Sequence, residues 1–499
     1  MTPRRDWLHQ RRIILAAQGA AFLALSAALI IVMDIHPVFP KYDDGWFALV
    51  SYSWINGLGF TNLWVSPIPT SLFNWHGFLQ PLVVAKLAPC TTLNCVKYGL
   101  SILQFIYLIV WTLCVLAINP RPLLKLSLFS IGLVMSFQFS ARPELLASLE
   151  MNLLLAMSWV GWRSREIWAT AAAQGVIGGV AAVTDPVAGV FCVLIASMAT
   201  AIFEQNQSSW LNICLRLGLI GLCAIGAALI CLEYIYPFGP AVWISGIREA
   251  STVIANRSDT GGLIKYFVFS RMAPLLALMA IPLIFAFGRV LRLSATVGRF
   301  SLVVTGLAVL VFTIVVVMTS VRIPATYYNF CVVVPALALA SAALLSQRGE
   351  TLYERIVAGA MIVFAGAAAL TILLVCVDKL IFLPQQAQLK SEISALIRDG
   401  VQQKRKIAMD PPLIQAVDDI DTLKTIKLLF FGKPGKTDEW PQGADMLIRA
   451  QTEFGTLPPA PAGSKLVTDR FDKWFVDRFI KPESLNYAVY VKDNTATNR

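Results

Sequence analysis

Apolar runs long enough to cross a bilayer recur along this chain as far as residue 377, and no other feature constrains its folding more. A ~30 Å hydrocarbon layer takes about 20 helical residues, and within it every backbone N–H and C=O has to be paired inside its own segment. Eleven such runs are read here: Ile13–Met33, Tyr98–Ile118, Leu123–Phe139, Leu145–Trp162, Ile167–Val183, Val187–Phe203, Cys214–Ile235, Met272–Phe287, Leu302–Met318, Asn329–Leu345 and Ile356–Val377. With 57% of 499 residues apolar and only 14% charged, the composition is that of a polytopic α-helical membrane protein. Arg4, Arg5, Arg11 and Arg12 precede the first run, but no small-residue cleavage site follows it before Asp34, so it reads as a retained helix rather than a signal peptide.

Positive charge resists translocation, which gives the runs an orientation. With a cytoplasmic N-terminus, the short inside segments (1–12, 119–125, 163–166, 204–213, 288–301 and 346–355) carry 13 Lys/Arg in 57 residues. The outside loops (34–97, 140–144, 184–186, 236–271 and 319–328) carry 9 in 118. The N-terminus is therefore expected inside, and an odd number of spans places the C-terminus outside. The net charge of +11 is accounted for by this asymmetry and calls for no nucleic-acid partner.

Two parts of the chain then lie outside the bundle on one face. The expected organisation is a membrane module over 1–377, with a large outer loop at 34–97, and an extracytoplasmic domain over 378–499. The tail has ordinary soluble composition and enough residues to fold alone. Within it, Lys406–Met409, Thr425–Phe430 and Tyr487–Val491 read as strands, and Pro412–Val417 and Gly443–Ala450 as helical turns, for a small α/β domain. It contains no GxGxxG or GxxxxGK[ST] loop, so nucleotide binding has no motif behind it. Seven of the nine cysteines fall in apolar runs; Cys90 and Cys95 share the outer loop, spaced either for a disulfide or for neighbouring thiols on one helical turn.

The outer loop carries the chemistry. Asp43-Asp44 come shortly after the first span, and Trp46, Phe47, Val50 and Trp54 follow at helical spacing, as in a short helix lying on the bilayer surface over Gly45–Asn56. Asp43 and Asp44 then have a plain structural reading as carboxylates at a helix N-terminus. Gly57-Leu58-Gly59-Phe60 ends the helix. After a polar stretch, Asn74-Trp75-His76-Gly77-Phe78-Leu79-Gln80-Pro81 leads into a further helix, Leu82–Leu87.

This order of acidic pair, glycine-ended interfacial helix and aromatic turn before a Pro-Leu helix resembles the membrane glycosyltransferases of the GT-C fold. The resemblance is to the branch of protein O-mannosyltransferases and aminoarabinose-lipid A transferases, which use sugars carried on a polyprenyl or dolichyl phosphate. It implies a catalytic base in the first outer loop, at Asp43 or Asp44. Ser140-Ala141-Arg142-Pro143-Glu144 looks like the Arg-Pro-acid turn of these transferases, and equally like a helix start with proline first and Glu144 in the favourable first turn. Val321-Arg322-Ile323-Pro324-Ala325-Thr326-Tyr327-Tyr328 resembles their late loop, although interface anchoring suits the same residues. The branch usually has Lys-Pro-Pro-Leu where this chain has Phe78-Leu79-Gln80-Pro81, so the lysine of that turn is missing.

Transfer from a lipid phosphate to a hydroxyl or amine needs a base at the nucleophile and cations for the departing phosphate. Arg142, Arg322, Lys265 and His76 are the outward-side candidates for the phosphate. Glu144, Tyr327, Tyr328 and Gln80 are candidates for positioning the acceptor. One carboxylate base with no covalent intermediate inverts the anomeric centre. A divalent ion between acids and phosphate fits the same chemistry, though the resembling branch generally works without one. The expected donor is a polyprenyl-phosphate-linked sugar and the acceptor a glycan, lipid or protein of the envelope. The expected place is the outer face of a bacterial cytoplasmic membrane. The competing class is a transporter or lipid flippase, against which stand the absence of an internal repeat and spans almost free of charge at their centres.

Overall fold

The computed structural model describes residues 3–35, 42–60, 77–138, 144–164, 167–186, 209–255, 352–417, 419–428, 440, 443–450, 460–470 and 485–492, with scattered positions between 189 and 197 and Leu339. The described helices are α1 (Pro3–Ile35), α2 (Tyr42–Ile55), α3 (Leu79–Leu87), α4 (Leu93–Ile118), α5 (Pro122–Gln138), α6 (Glu144–Ser164), α7 (Ile167–Thr184), α8 (Trp210–Tyr234), α9 (Gly239–Ala255) and α10 (Leu352–Gln402). Among the described residues, five stretches are long and apolar enough to cross a membrane: Ile13–Ile35, Leu93–Ile118, Ile167–Thr184, Trp210–Tyr234 and Ala369–Gln402; Pro122–Phe137 is a shorter apolar helix. The expected runs at 272–287, 302–318 and 329–345 lie outside the described residues apart from Leu339, as does much of 187–203.

The helices begin and end where short-range chemistry allows. Thr92 caps α4 by accepting from the Cys95 amide at 3.4 Å, and Ser209 caps α8 in the same way from Asn212. Asn119, in the left-handed region at φ 48°, closes α4 immediately before Pro120.

Between helices that offer little polar grip, small residues set the approach. A Cβ on Gly175 would stand 2.4 Å from the Ile220 carbonyl oxygen, and one on Gly179 2.2 Å from that of Ala224, so this Gly-x-x-x-Gly face lets the backbones of α7 and α8 touch. Helices α4 and α5 are tied by Trp111 Nε1 donating to the Leu128 carbonyl at 2.8 Å and Gln104 Nε2 to that of Ser136 at 3.0 Å.

Helix α10 does not stop at the expected boundary at 377. It continues unbroken past Asp378 and Pro384 to Gln402, and Leu389, Ile393 and Ile397, one turn apart, are buried under the C-terminal domain. That domain is a five-stranded sheet in the order β2-β1-β3-β5-β4, from β1 (Ile407–Met409), β2 (Lys427–Leu428), β3 (Met446–Ala450), β4 (Ser464–Arg470) and β5 (Tyr487–Lys492). Strand β1 runs parallel to β2 and β3, while β5 is antiparallel to β3 and β4. A 3-10 turn, Pro411–Ala416, follows β1, and α11 (Ile420–Thr425) follows that. The α/β expectation holds, with one correction: Gly443–Ala450, expected as a helical turn, contributes β3. All five residues of β3 are buried, so Met446–Ala450 shows none of the alternation by which a half-exposed strand is recognised.

The domain is locked to α10 and closed within itself by polar bonds. Glu392 accepts from Arg470 on β4 and from Tyr487 Oη at 3.1 Å, and Gln386 Oε1 accepts from the Leu485 amide at 2.9 Å. Asp410 Oδ2 accepts from Arg449 Nε and the Ala450 amide, both at 2.9 Å, with both side chains buried. Burial pushes the Asp410 carboxyl above its ordinary range, and Arg449 pulls it back. Arg449→Met is expected to cost about 3–5 kcal/mol at neutral pH, because one member of a buried pair is lost. Asp410 then rises further. A carboxyl raised in the folded state holds its contribution below the ordinary carboxylate range and loses it as pH climbs through the folded value, so the penalty grows with pH. Melting curves of the two chains at pH 4 and pH 8 check the sign.

Candidate active site

Helix α2 starts at Tyr42, so the backbone of Asp43 and Asp44 lies inside its first turn rather than ahead of it. It ends in a Schellman motif. Gly57, at φ +76°, sends its amide to the Trp54 carbonyl at 3.1 Å, and the Leu58 amide reaches back to that of Ser53 at 2.9 Å.

The expected surface helix is a buried one. Every residue from Phe47 to Ser53 is buried, which no helix lying on a bilayer with one face in water would show. One side packs against α3 and α4, and another against the 3-10 turn of the C-terminal domain. Phe47, Ala48, Leu49 and Tyr52 share a single core with Val84 and Val96 below and with Leu413, Ile414 and Val417 above. Burial pushes the Tyr52 phenol up, and Asp419 and Asp421 of the domain push the same way. Asp419 caps α11 from the Thr422 amide at 2.7 Å, which holds its own carboxyl below the usual range.

Val50 and Trp54 face an aromatic cluster at the outer ends of α7 and α8. Phe60 stacks obliquely on Trp54 at 4.5 Å and meets Phe78 edge-on at 5.8 Å, and Phe78 lies 4.8 Å from Tyr236. Gly77 turns the chain into this cluster at φ +75°. Its Cα sits so close to α7 that an added Cβ would lie 2.2 Å from the Thr184 carbonyl oxygen and 2.4 Å from that of Val183. Phe78 donates its amide to the same Val183 oxygen at 3.2 Å.

Gln80 is fully buried, and its Oε1 accepts from the Leu146 amide at 2.9 Å, satisfying one of the free donors in the first turn of α6. Glu144, the first residue of α6, is buried two residues before Leu146. One turn and a half along α6, Glu150 is buried as well and accepts from Thr184 Oγ1 at 2.9 Å. Asp185 follows Thr184, and its carbonyl accepts from the Gly189 amide at 2.9 Å.

Glu150 and Asp185 lie within electrostatic reach of each other where the start of α6 meets the end of α7. Glu150 and Thr184 were not among the residues picked from the sequence. An acid six residues into an apolar run was the available signal. Arg142, Arg322, Lys265, His76, Tyr327 and Tyr328 lie outside the described residues. Among the described residues, no three His, Cys, Asp or Glu side chains are grouped to hold a metal ion.

Cys90 and Cys95 form a disulfide with Cα atoms 5.4 Å apart. Asn56, at the end of α2, donates to the Thr91 carbonyl inside that small loop at 3.1 Å. Replacing both cysteines by serine is expected to cost about 2 kcal/mol from the lost closure of a six-residue loop. Loss of thermal stability in detergent, with the same shift in wild type after reduction, checks this.

No protein-family model matches the chain, and no curated protein matches it. Among solved structures it is similar to the oligosaccharyltransferase of Archaeoglobus fulgidus, a structure described in complex with Zn and sulfate. The identity is 11% and the TM-score 0.43, over 87% of this chain and 68% of that one. A likeness that loose carries neither fold nor activity. The structure by itself defines a helical membrane protein with a small sheet domain packed on one end of its bundle.

Proposed function

We propose that the chain is an inverting glycosyltransferase that moves a sugar from a polyprenyl-phosphate donor to an extracytoplasmic acceptor, with Asp43 or Asp44 as the base. The observation that carries this reading is the setting of the acidic pair. It lies in the first turn of a helix packed between α3 and α4 of the bundle on one side and the 3-10 turn of the C-terminal domain on another. A base has to be held within hydrogen-bond reach of the nucleophile, and a helix buried on several sides supplies that rigidity. Glu144 and Gln80 are assigned to the acceptor side. Arg142, Arg322, Lys265 and His76 are assigned to the donor phosphate, with Tyr327 and Tyr328 beside the acceptor. The disulfide supports an oxidising compartment for this face, and with it a cytoplasmic N-terminus.

The test is transfer by the purified chain in vesicles. It is supplied with polyprenyl-phosphate-linked sugars and an envelope extract, and the product is identified by mass and by anomeric configuration. One observation favours the runner-up, a transporter: a buried carboxylate such as Glu150 is what a proton-coupled pump would use. Solute movement across the vesicle wall without any glycosylated product, abolished by Glu150→Gln, would establish that reading instead.

A further inference from the structure

We infer that the 3-10 turn Pro411–Ala416 of the outer domain is a positioning strut for α2, so that the domain sets the placement of the helix carrying the acidic pair. The inference rests on the proposed function for its catalytic consequence, but not for the coupling itself.

The turn is fixed at both ends by groups that have little freedom. At its start, the Asp410 amide extends the sheet by donating to the Ile448 carbonyl at 2.9 Å, while its carboxylate holds Arg449 and the Ala450 amide. At its finish, Ser394 Oγ on α10 donates to the Ala416 carbonyl at 2.5 Å. Helix α10 is in turn continuous with the membrane-crossing stretch from Ala369, whose Cys376 is buried against the bundle. Leu413 and Ile414 project from the fixed turn into the same core as Leu49 and Tyr52 of α2.

Bundle, α10, turn and α2 therefore form a closed circuit of packed elements. A shift of α2 away from α3 and α4 has to displace a turn anchored to both a sheet and a membrane helix. A free-standing appended domain would leave one face of α2 open; here residues 47 to 53 have none.

The experiment compares wild type with Leu413→Ala in the full chain, reading hydrogen exchange of the α2 amides and of strands β1, β3 and β5, together with steady-state transfer. Truncating Leu413 opens a cavity facing α2 without touching the acids. The expected result is exchange in α2 faster by at least about tenfold with the strands still protected. Transfer is expected to show a kcat about tenfold lower at an unchanged donor KM, because misplacing a base weakens the transition state and not donor binding. Leu413→Met, which keeps the volume, should restore both.

Unchanged α2 exchange with protected strands overturns the inference, as does faster α2 exchange with full kcat. If Leu413→Ala also exposes the strands, Ser394→Ala, which releases only the end of the turn, is read by the same two criteria. A wild-type chain without transferase activity would defeat the proposed function while the exchange measurement still decides the coupling.

Discussion

Asp43→Asn combined with Asp44→Asn is expected to remove glycosyl transfer, by roughly 10²–10⁴-fold for loss of a general base, with expression and detergent stability near wild type. The argument is one of isosteric replacement. Asparagine keeps the volume and the hydrogen-bonding reach of aspartate, and at the first turn of α2 it gives up a favourable interaction with the helix dipole, worth about 0.3–1 kcal/mol. What it cannot do is accept and hold a proton at neutral pH. The single variants rank the two acids: the base shows the full loss in kcat, and a neighbour that only orients the acceptor shows a smaller one with a raised acceptor KM. Full activity in both singles and in the double variant would exclude the pair from the chemistry. Loss of activity accompanied by loss of stability would instead make the acids structural.

Gly77→Ala is the second large effect, and Gly57→Ala is its control. Both glycines have positive φ, at +75° and +76°, and for alanine that alone costs of order 1 kcal/mol. Around Gly57 an added Cβ meets open space, so the cost should end there. At Gly77 the same methyl would lie 2.2 Å from the Thr184 carbonyl oxygen, backbone that is itself part of α7. One of the two segments has to retreat by most of an ångström. That separates Phe78 from Tyr236, weakens the Phe78 bond to Val183, and moves Gln80 away from Leu146. Because a displacement of about 1 Å in a site can cost ~10²-fold, Gly77→Ala should reduce transfer by that order and lower the melting temperature by several degrees, while Gly57→Ala leaves transfer near wild type. Thermal melts and transfer rates on the two variants, prepared in parallel, check the contrast. Equal effects would mean that the close approach of the loop to α7 is not what holds the site.

Several elements were legible because they depend on neighbours in sequence. The spans at Ile13–Ile35, Leu93–Ile118 and Trp210–Tyr234 announce themselves by composition and length. The end of α2 is written in Gly57 and Gly59, and the Cys90–Cys95 spacing permitted the disulfide that formed. Three features were not legible. Strand β3 has the same buried, unalternating pattern that a short buried helix would show, and only its pairing with β1 and β5 makes it a strand. Gln80 meets the Leu146 amide across 66 residues, and Thr184 meets Glu150 across 34. Neither partner has a local signature of the other.

By itself the sequence determined a membrane protein rich in apolar helices, with an acidic pair beside the first span, since hydropathy and helical period are properties of contiguous residues. Tertiary structure alone decided that α2 is enclosed rather than laid on the bilayer, and that the outer domain completes its surroundings. It alone decided, too, that Gln80 meets Leu146 and that Thr184 meets Glu150. Those outcomes depend on which distant surfaces meet when loops close and apolar faces are buried together, and no stretch of the chain encodes them on its own.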